Sequence, residues 1–168
     1  MSLRSASHTT GRRIAGRAQD DRNIDPYAHA AKHREPTACP ECGAVYHRGR
    51  WQWGKAPVDA TPLPCPACRR IADRLPAGVV TLHGPLPLDR KTEILQLFRH
   101  QEAAEKAEHP LGRIMGIAET DETVTVQTTD IHLPRRLGAA LKHAHHGELT
   151  VDFDETGYFV RVDWHPSR

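Results

Sequence analysis

The sequence has no apolar run near the ~18 residues that a membrane-spanning helix requires, so no membrane partner is expected. No secretory h-region follows the first residues, MSLRSASHTTGRRIAGRAQ, which makes disulfide bonding in an oxidising compartment an unattractive use of its cysteines. Signatures of common catalysts are missing too. There is no phosphate-binding G-x-x-x-x-G-K-[ST], no G-x-S-x-G elbow and no G-x-G-x-x-G after a strand. The expected protein is therefore cytoplasmic and not an enzyme, with no catalytic residue assigned.

What is present starts with length and charge. The 168 residues suffice for one ordinary domain and a small satellite, but not for two full-sized cores. Residues 1–70 hold 12 Lys+Arg against 6 Asp+Glu, and the remainder holds 11 against 15, within a net charge of +2. A basic front on a mildly acidic body directs any polyanion to the N-terminal half, unless the charge merely solvates a flexible tail.

Composition divides the chain into residues 1–38, 39–74 and 75–168. The first stretch lacks a periodic apolar pattern and reads as a disordered basic arm, with a mitochondrial transit peptide as the alternative. A short helix over Tyr27–Lys32, started by Asp25-Pro26, fits within it.

The middle stretch holds every cysteine. Cys39 and Cys42, then Cys65 and Cys68, form two C-x2-C pairs separated by 22 residues, each with a proline inside. Such a turn aims two thiolates at one metal, and two turns complete a tetrahedral S4 shell with bonds of ~2.3 Å. Zinc is the expected cofactor, although an iron–sulfur cluster would use the same ligands. A thioredoxin-like pair would need one C-x-x-C at a helix start, not two matched copies. Because four thiolates close the shell, the metal is expected to be structural.

Between the pairs, Tyr46, Trp51 and Trp53 stand among Arg48, Arg50 and Lys55, and Arg69 and Arg70 follow the last cysteine. Rings stack on unpaired bases and guanidinium groups pair with phosphates. Arg48, Arg50, Trp51, Trp53, Arg69 and Arg70 are thus the candidate nucleic-acid contacts. The competing reading is that Trp51 and Trp53 simply cover one side of the metal. The twelve histidines show no recognisable metal spacing and read as surface residues.

The last stretch reads as regular structure. Strands are expected at Val79–His83, Arg113–Glu119, Thr123–Thr129, Leu149–Phe153 and Tyr158–Trp164. One helix is expected from Leu88 to Glu108, capped by Asp89 and with a stripe through Ile94, Leu95, Leu97, Phe98 and 101–104. A second starts at Asp130 and is stopped by Gly147. The order β-α-β-β-α-β-β predicts an α+β fold: a zinc ribbon followed by a ferredoxin-like domain, both helices on one face of an antiparallel sheet.

The segments EPTACPECGAVYHRGRWQWG, PCPACRRIADRLPAG, HPLGRIMGI and TTDIHLPRRLGAAL resemble an uncharacterised group of bacterial zinc-ribbon proteins across residues 25–165. That group is similar to the N-terminal part of the archaeal and eukaryotic large-ribosomal-subunit export adaptor, named for nonsense-mediated decay. The resemblance implies a zinc-dependent module that binds the large ribosomal subunit. Its residue-by-residue content here is the four cysteines. The adaptor's additional C-x2-C pairs, further domains and export tail have no counterpart, so export is not implied.

RNA or the ribosome is accordingly the expected partner. The alternative is a protein–protein adaptor, docking a partner strand on Tyr158–Trp164 if that strand lies at the sheet edge. A hydrolase using Asp130 and His132 is a third reading, without a supporting constellation.

Overall fold

The computed structural model describes residues 25–27 and 33–167, arranged as two lobes. Of the expected basic arm, residues 1–24 and 28–32 lie outside the described residues, and with them most of the expected short helix at 27–32. Ordered structure nevertheless begins before the first cysteine.

The first lobe holds β1 (Thr37–Ala38), β2 (Val45–His47), β3 (Arg50–Gln52), β4 (Thr61–Pro62) and α1 (Pro66–Asp73). Its small sheet runs β3-β2-β1-β4, with β1 parallel to β4 and the other pairs antiparallel. Arg48 and Gly49 join β2 to β3, both at positive φ (52° and 77°), as a tight two-residue hairpin requires. A non-glycine side chain enters that region at a cost of ~1–2 kcal/mol. The Glu35 carboxylate offsets it by accepting both turn N–H groups, each at 2.9 Å. Helix α1 was not foreseen. Pro66 occupies its first turn, where the missing N–H is harmless, and Cys65 is its N-cap.

The second lobe contains β5 (Gly78–His83), α2 (Leu88–Glu108), β6 (Ile114–Glu119), β7 (Thr123–Thr128), α3 (His132–Ala144), β8 (Gly147–Phe153) and β9 (Val160–Pro166). Every expected element is there, but the connections differ from the prediction. The sheet runs β6-β7-β5-β9-β8, and β5 pairs with β9 in parallel, so it is mixed instead of antiparallel. Strand β7 lies between β5 and β6, as in a split β-α-β unit. After α3, however, the chain goes first to the edge and only then returns beside β5.

Side chains explain that choice. Val160, Val162 and Trp164 of β9 are fully buried, whereas Val151 and Phe153 of β8 are 40% and 48% exposed. The central place goes to the strand able to give one face entirely to the core. Tyr158–Trp164 is therefore not an edge, and no partner strand can add there. That core joins Val80, Leu82, Val124 and Val126 from the sheet to Ile94 and Phe98 of α2 and Leu133, Leu137 and Leu141 of α3, so both helices cover one face.

Smaller corrections have local causes. Pro87, not Asp89, is the N-cap of α2, and Ile131 is that of α3, although Asp130 Oδ1 accepts the Leu133 N–H at 2.9 Å. Ala103 and Ala104 are exposed, and the last turns of α2 reach the fold through Glu102, which accepts the Ile114 N–H at 2.7 Å. Helix α3 ends at Ala144, so Gly147 does not stop it. A Cβ on Gly147 would lie 2.3 Å from Trp164 Nε1, and the glycine is needed for that close approach.

The expected turn at 154–157 is held by Asp154, which accepts the Thr156 hydroxyl at 2.8 Å and the Phe159 N–H at 3.2 Å. Although burial opposes it, these hydrogen bonds and those from the Gly157 and Tyr158 N–H groups hold its carboxyl below the usual carboxylate range. A carboxyl depressed in the folded state contributes stability above its unfolded pKa of ~3.9 and loses it as pH falls through the folded value. Asp154→Asn is therefore expected to lose less stability than wild type between pH 5 and 3. The difference should be about 0.5 kcal/mol after solvent screening, read from urea midpoints.

Candidate metal centre

The first pair of cysteines sits on the turn Cys39-Pro-Glu-Cys42. Gly43 closes it at φ 79°, donating to the Cys39 carbonyl at 2.9 Å, while the Cys39 N–H bonds the Ala44 carbonyl at 2.8 Å. The second pair opens α1, where the Cys68 N–H approaches Cys65 Sγ at 3.5 Å. The Cys65 N–H reaches across to Cys39 Sγ at 3.2 Å, tying the two pairs together. One pair is thus on a β-turn and the other at a helix start.

All four sulfurs lie within 4.8 Å of one another, and among the described residues this is the His/Cys/Asp/Glu group close enough to hold a metal ion. The Cys42 and Cys65 sulfurs are 3.7 Å apart. Four sulfurs at ~2.3 Å from a central ion stand ~3.8 Å apart along a tetrahedron edge, so the spacing fits a thiolate-bound metal. Cys39 and Cys65 are buried, and Ala44, Ala67, Trp51 and Leu111 pack around the group.

One ligand neighbour was not foreseen. Arg113, only 8% exposed, comes from the α2–β6 connection of the other lobe. Its Nη2 donates to Cys42 Sγ at 3.1 Å and Cys65 Sγ at 3.5 Å, and its Nη1 to Cys68 Sγ at 3.4 Å. Nε donates to the Pro110 carbonyl at 2.7 Å, and the Arg113 N–H to Thr129 Oγ1 at 2.9 Å. No local pattern marks this residue, which lies 71 positions from Cys42.

The electrostatics follow from these contacts. Burial pushes the Cys65 and Cys68 thiols up. Burial works the same way on Cys42, but the Ala44 N–H and the Arg113 guanidinium outweigh it and bring that thiol down to about 7. Burial would lower Arg113, yet its bonds to Cys68 and Cys42 dominate and hold it firmly protonated.

The residues predicted to contact nucleic acid differ in exposure and in the partners they already have. Arg48 and Arg50 are exposed on the β2–β3 hairpin. Trp51 is half-buried against the cysteine group, as the competing reading had it. Trp53 is 37% exposed and donates its indole N–H to the Lys106 carbonyl. Arg69 is half-buried, with its guanidinium 5.3 Å from the Tyr27 ring centre. Arg70 has to be taken out of the set. It is 5% exposed, pairs with Asp25 at 2.6 Å, donates to the Leu75 carbonyl and lies 4.3 Å from the Tyr27 ring centre.

Between the lobes lies a cleft of about 890 Å³. Tyr46, Arg50 and Trp51 line one side, and His109, Asp130, His132 and Tyr158 the other, with Glu105 and Arg136 beside them. Asp130 and His132, named in the hydrolase reading, therefore share a cavity. The acids there already have structural partners, however. Glu105 is buried and paired with Arg136, and Asp130, its carboxyl raised by burial, receives the α3 N–H group of Leu133. On the uncovered face of the large sheet, His83 pairs with Asp163 at 2.7 Å and stacks on His165 at 4.3 Å.

No helix among the described residues is long and apolar enough to cross a membrane. No family model matches the chain, and neither a curated protein nor a solved structure matches it.

Proposed function

We propose that this chain is a non-enzymatic, zinc-stapled module that binds RNA, the ribosome being the expected assembly, through the β2–β3 hairpin and the cleft beside it. Zinc suits four thiolates and brings no redox chemistry, and a closed S4 shell leaves no position for substrate or water. The observation that carries the RNA reading is the cleft lining. Tyr46, Trp51 and Tyr158 line it together with Arg50 and with Arg136, whose guanidinium is paired with Glu105. Single strands are held in this way, bases on rings and phosphates on guanidinium groups. Arg48 and Arg50 place exposed positive charge on the adjoining hairpin. The resemblance to the ribosome-binding adaptor supports the same reading, as does the basic balance of residues 1–70.

Fluorescence anisotropy with a labelled single-stranded RNA of about 12 nucleotides tests it. Replacing both Arg48 and Arg50 by Ala is expected to weaken binding by about tenfold at low salt, and to reduce the salt slope by ~1.4 through two lost phosphate contacts. An unchanged slope would remove this surface from consideration. Co-sedimentation with ribosomal subunits at low salt then reports whether the RNA is ribosomal.

One observation favours the adaptor alternative, at a different place from the one first expected. Strand β8 is one of the two edges of the large sheet, β6 being the other, and Val151 and Phe153 on it are exposed. Protein capture that survives nuclease and is lost on Phe153→Asp would favour that reading.

A further inference from the structure

The cysteine group and the second lobe meet at one side chain. Arg113 is held rigidly from its own side: its N–H bonds Thr129 Oγ1, its Nε bonds the Pro110 carbonyl, and Leu111 packs against the cysteine cluster. Its remaining N–H groups point at three sulfurs drawn from both cysteine pairs. The hydrogen-bond partners of its guanidinium among the described residues are therefore one carbonyl and those sulfurs. Such a three-point contact exists only while Cys42 is held beside Cys65 and Cys68, which come from a different turn. A metal ion enforces that closeness.

Charge makes the contact mutual. Four thiolates around a divalent ion leave a negative cluster, buried in a lobe with little other apolar material. A buried charge is tolerated when it is paired and hydrogen-bonded, and a planar guanidinium fork serves several acceptors at once. Hydrogen-bond donors behind metal ligands orient them and tune affinity.

We propose that Arg113 is a positioning residue of the metal centre, contributed by the second lobe, and that it makes metal occupancy the lock between the two lobes. Trp51 and Arg50 on one wall of the cleft and Leu111 and Asp130 on the other then keep their separation only in the metal-bound protein. The inference rests on the metal reading above and is independent of RNA, so its failure and the failure of the RNA reading are distinguishable.

The test uses the full chain loaded with zinc, a chromophoric chelator and hydrogen exchange. In wild type, removing the zinc is expected to raise amide exchange at 111–114 and at Thr129 as well as in the first lobe. Arg113→Gln is expected to give up zinc 10- to 100-fold more readily. Arg113→Lys, which keeps the charge without the fork, should recover only part of that loss. A purely structural arginine would lower the melting temperature of Arg113→Gln without changing the zinc affinity of its folded form. That result, or unchanged protection at 111–114 after zinc removal from wild type, would overturn the proposal. If Arg113→Gln fails to fold, the wild-type exchange experiment and the Lys variant decide between the same two outcomes.

Discussion

Cys65→Ser is expected to empty the metal centre and unfold the first lobe. Beyond the cysteines, the buried apolar residues described in that lobe include Ala44, Val45 and Ala67, with Trp51 and Leu111 partly covering the cysteine cluster. Side chains this small cannot offset the entropy of ordering residues 33–74 at ~1–2 kcal/mol per residue. Structural zinc sites contribute apparent binding energies of ~10–16 kcal/mol at neutral pH, which is folding energy when no site exists in the unfolded chain. Cys65 is the most demanding of the four to replace, because its sulfur is fully buried, it caps α1, and it faces Arg113. Metal analysis should fall from about one zinc per chain to near zero. Amide dispersion for 33–74 should collapse while β5–β9 stay folded. A variant that keeps a folded first lobe and its metal would refute the structural role.

Acid should reproduce the same loss in wild type. Each ligand must shed its proton to bind, so affinity falls as pH falls, and metal uptake releases protons. Cys42, brought down to about 7 by the Ala44 N–H and Arg113 against the effect of burial, gives its proton up more easily than Cys65 or Cys68. Cys65 and Cys68 are pushed up by burial and hold their protons more tightly without the metal.

Trp164→Ala is expected to cost ~3–5 kcal/mol, a large part of the ~5–15 kcal/mol that stabilises an ordinary domain. Trp164 is fully buried on β9, pairs in register with Leu82 of β5 and Leu149 of β8, and approaches the backbone of 147 too closely to admit a side chain there. Phe153→Ala, at the exposed edge, should cost under ~1 kcal/mol. Chemical denaturation of the two variants measures the contrast. Comparable losses would contradict a central β9 and an edge β8, whereas the predicted difference follows from strand order alone.

That strand order shows what a linear pattern conveys and what it does not. Alternation of Val160, Val162 and Trp164 marks one apolar face, and so does that of Leu149, Val151 and Phe153. Period-two alternation tells which residues share a face, but it carries no information about a strand's neighbours. The decision was made by competition for core volume, in which the fully buried trio of β9 displaced the half-exposed trio of β8. Arg70 is a similar case. It reads as a free cation until Asp25 and Tyr27, 45 and 43 positions away, are folded against it.

By itself, the sequence determined the metal ligands, because C-x2-C spacing brings two thiolates together through local backbone geometry, whatever the rest of the chain does. It likewise determined each strand of the second lobe, both long helices and the turn at 154–157, all set by short-range periodicity and turn chemistry. Tertiary structure alone decided the parallel pairing of β5 with β9, the burial of Arg70, the cleft and the placement of Arg113 over three sulfurs. Each of these joins residues dozens of positions apart, and such contacts are selected by packing and charge balance after the local elements exist, leaving no periodic trace in the chain.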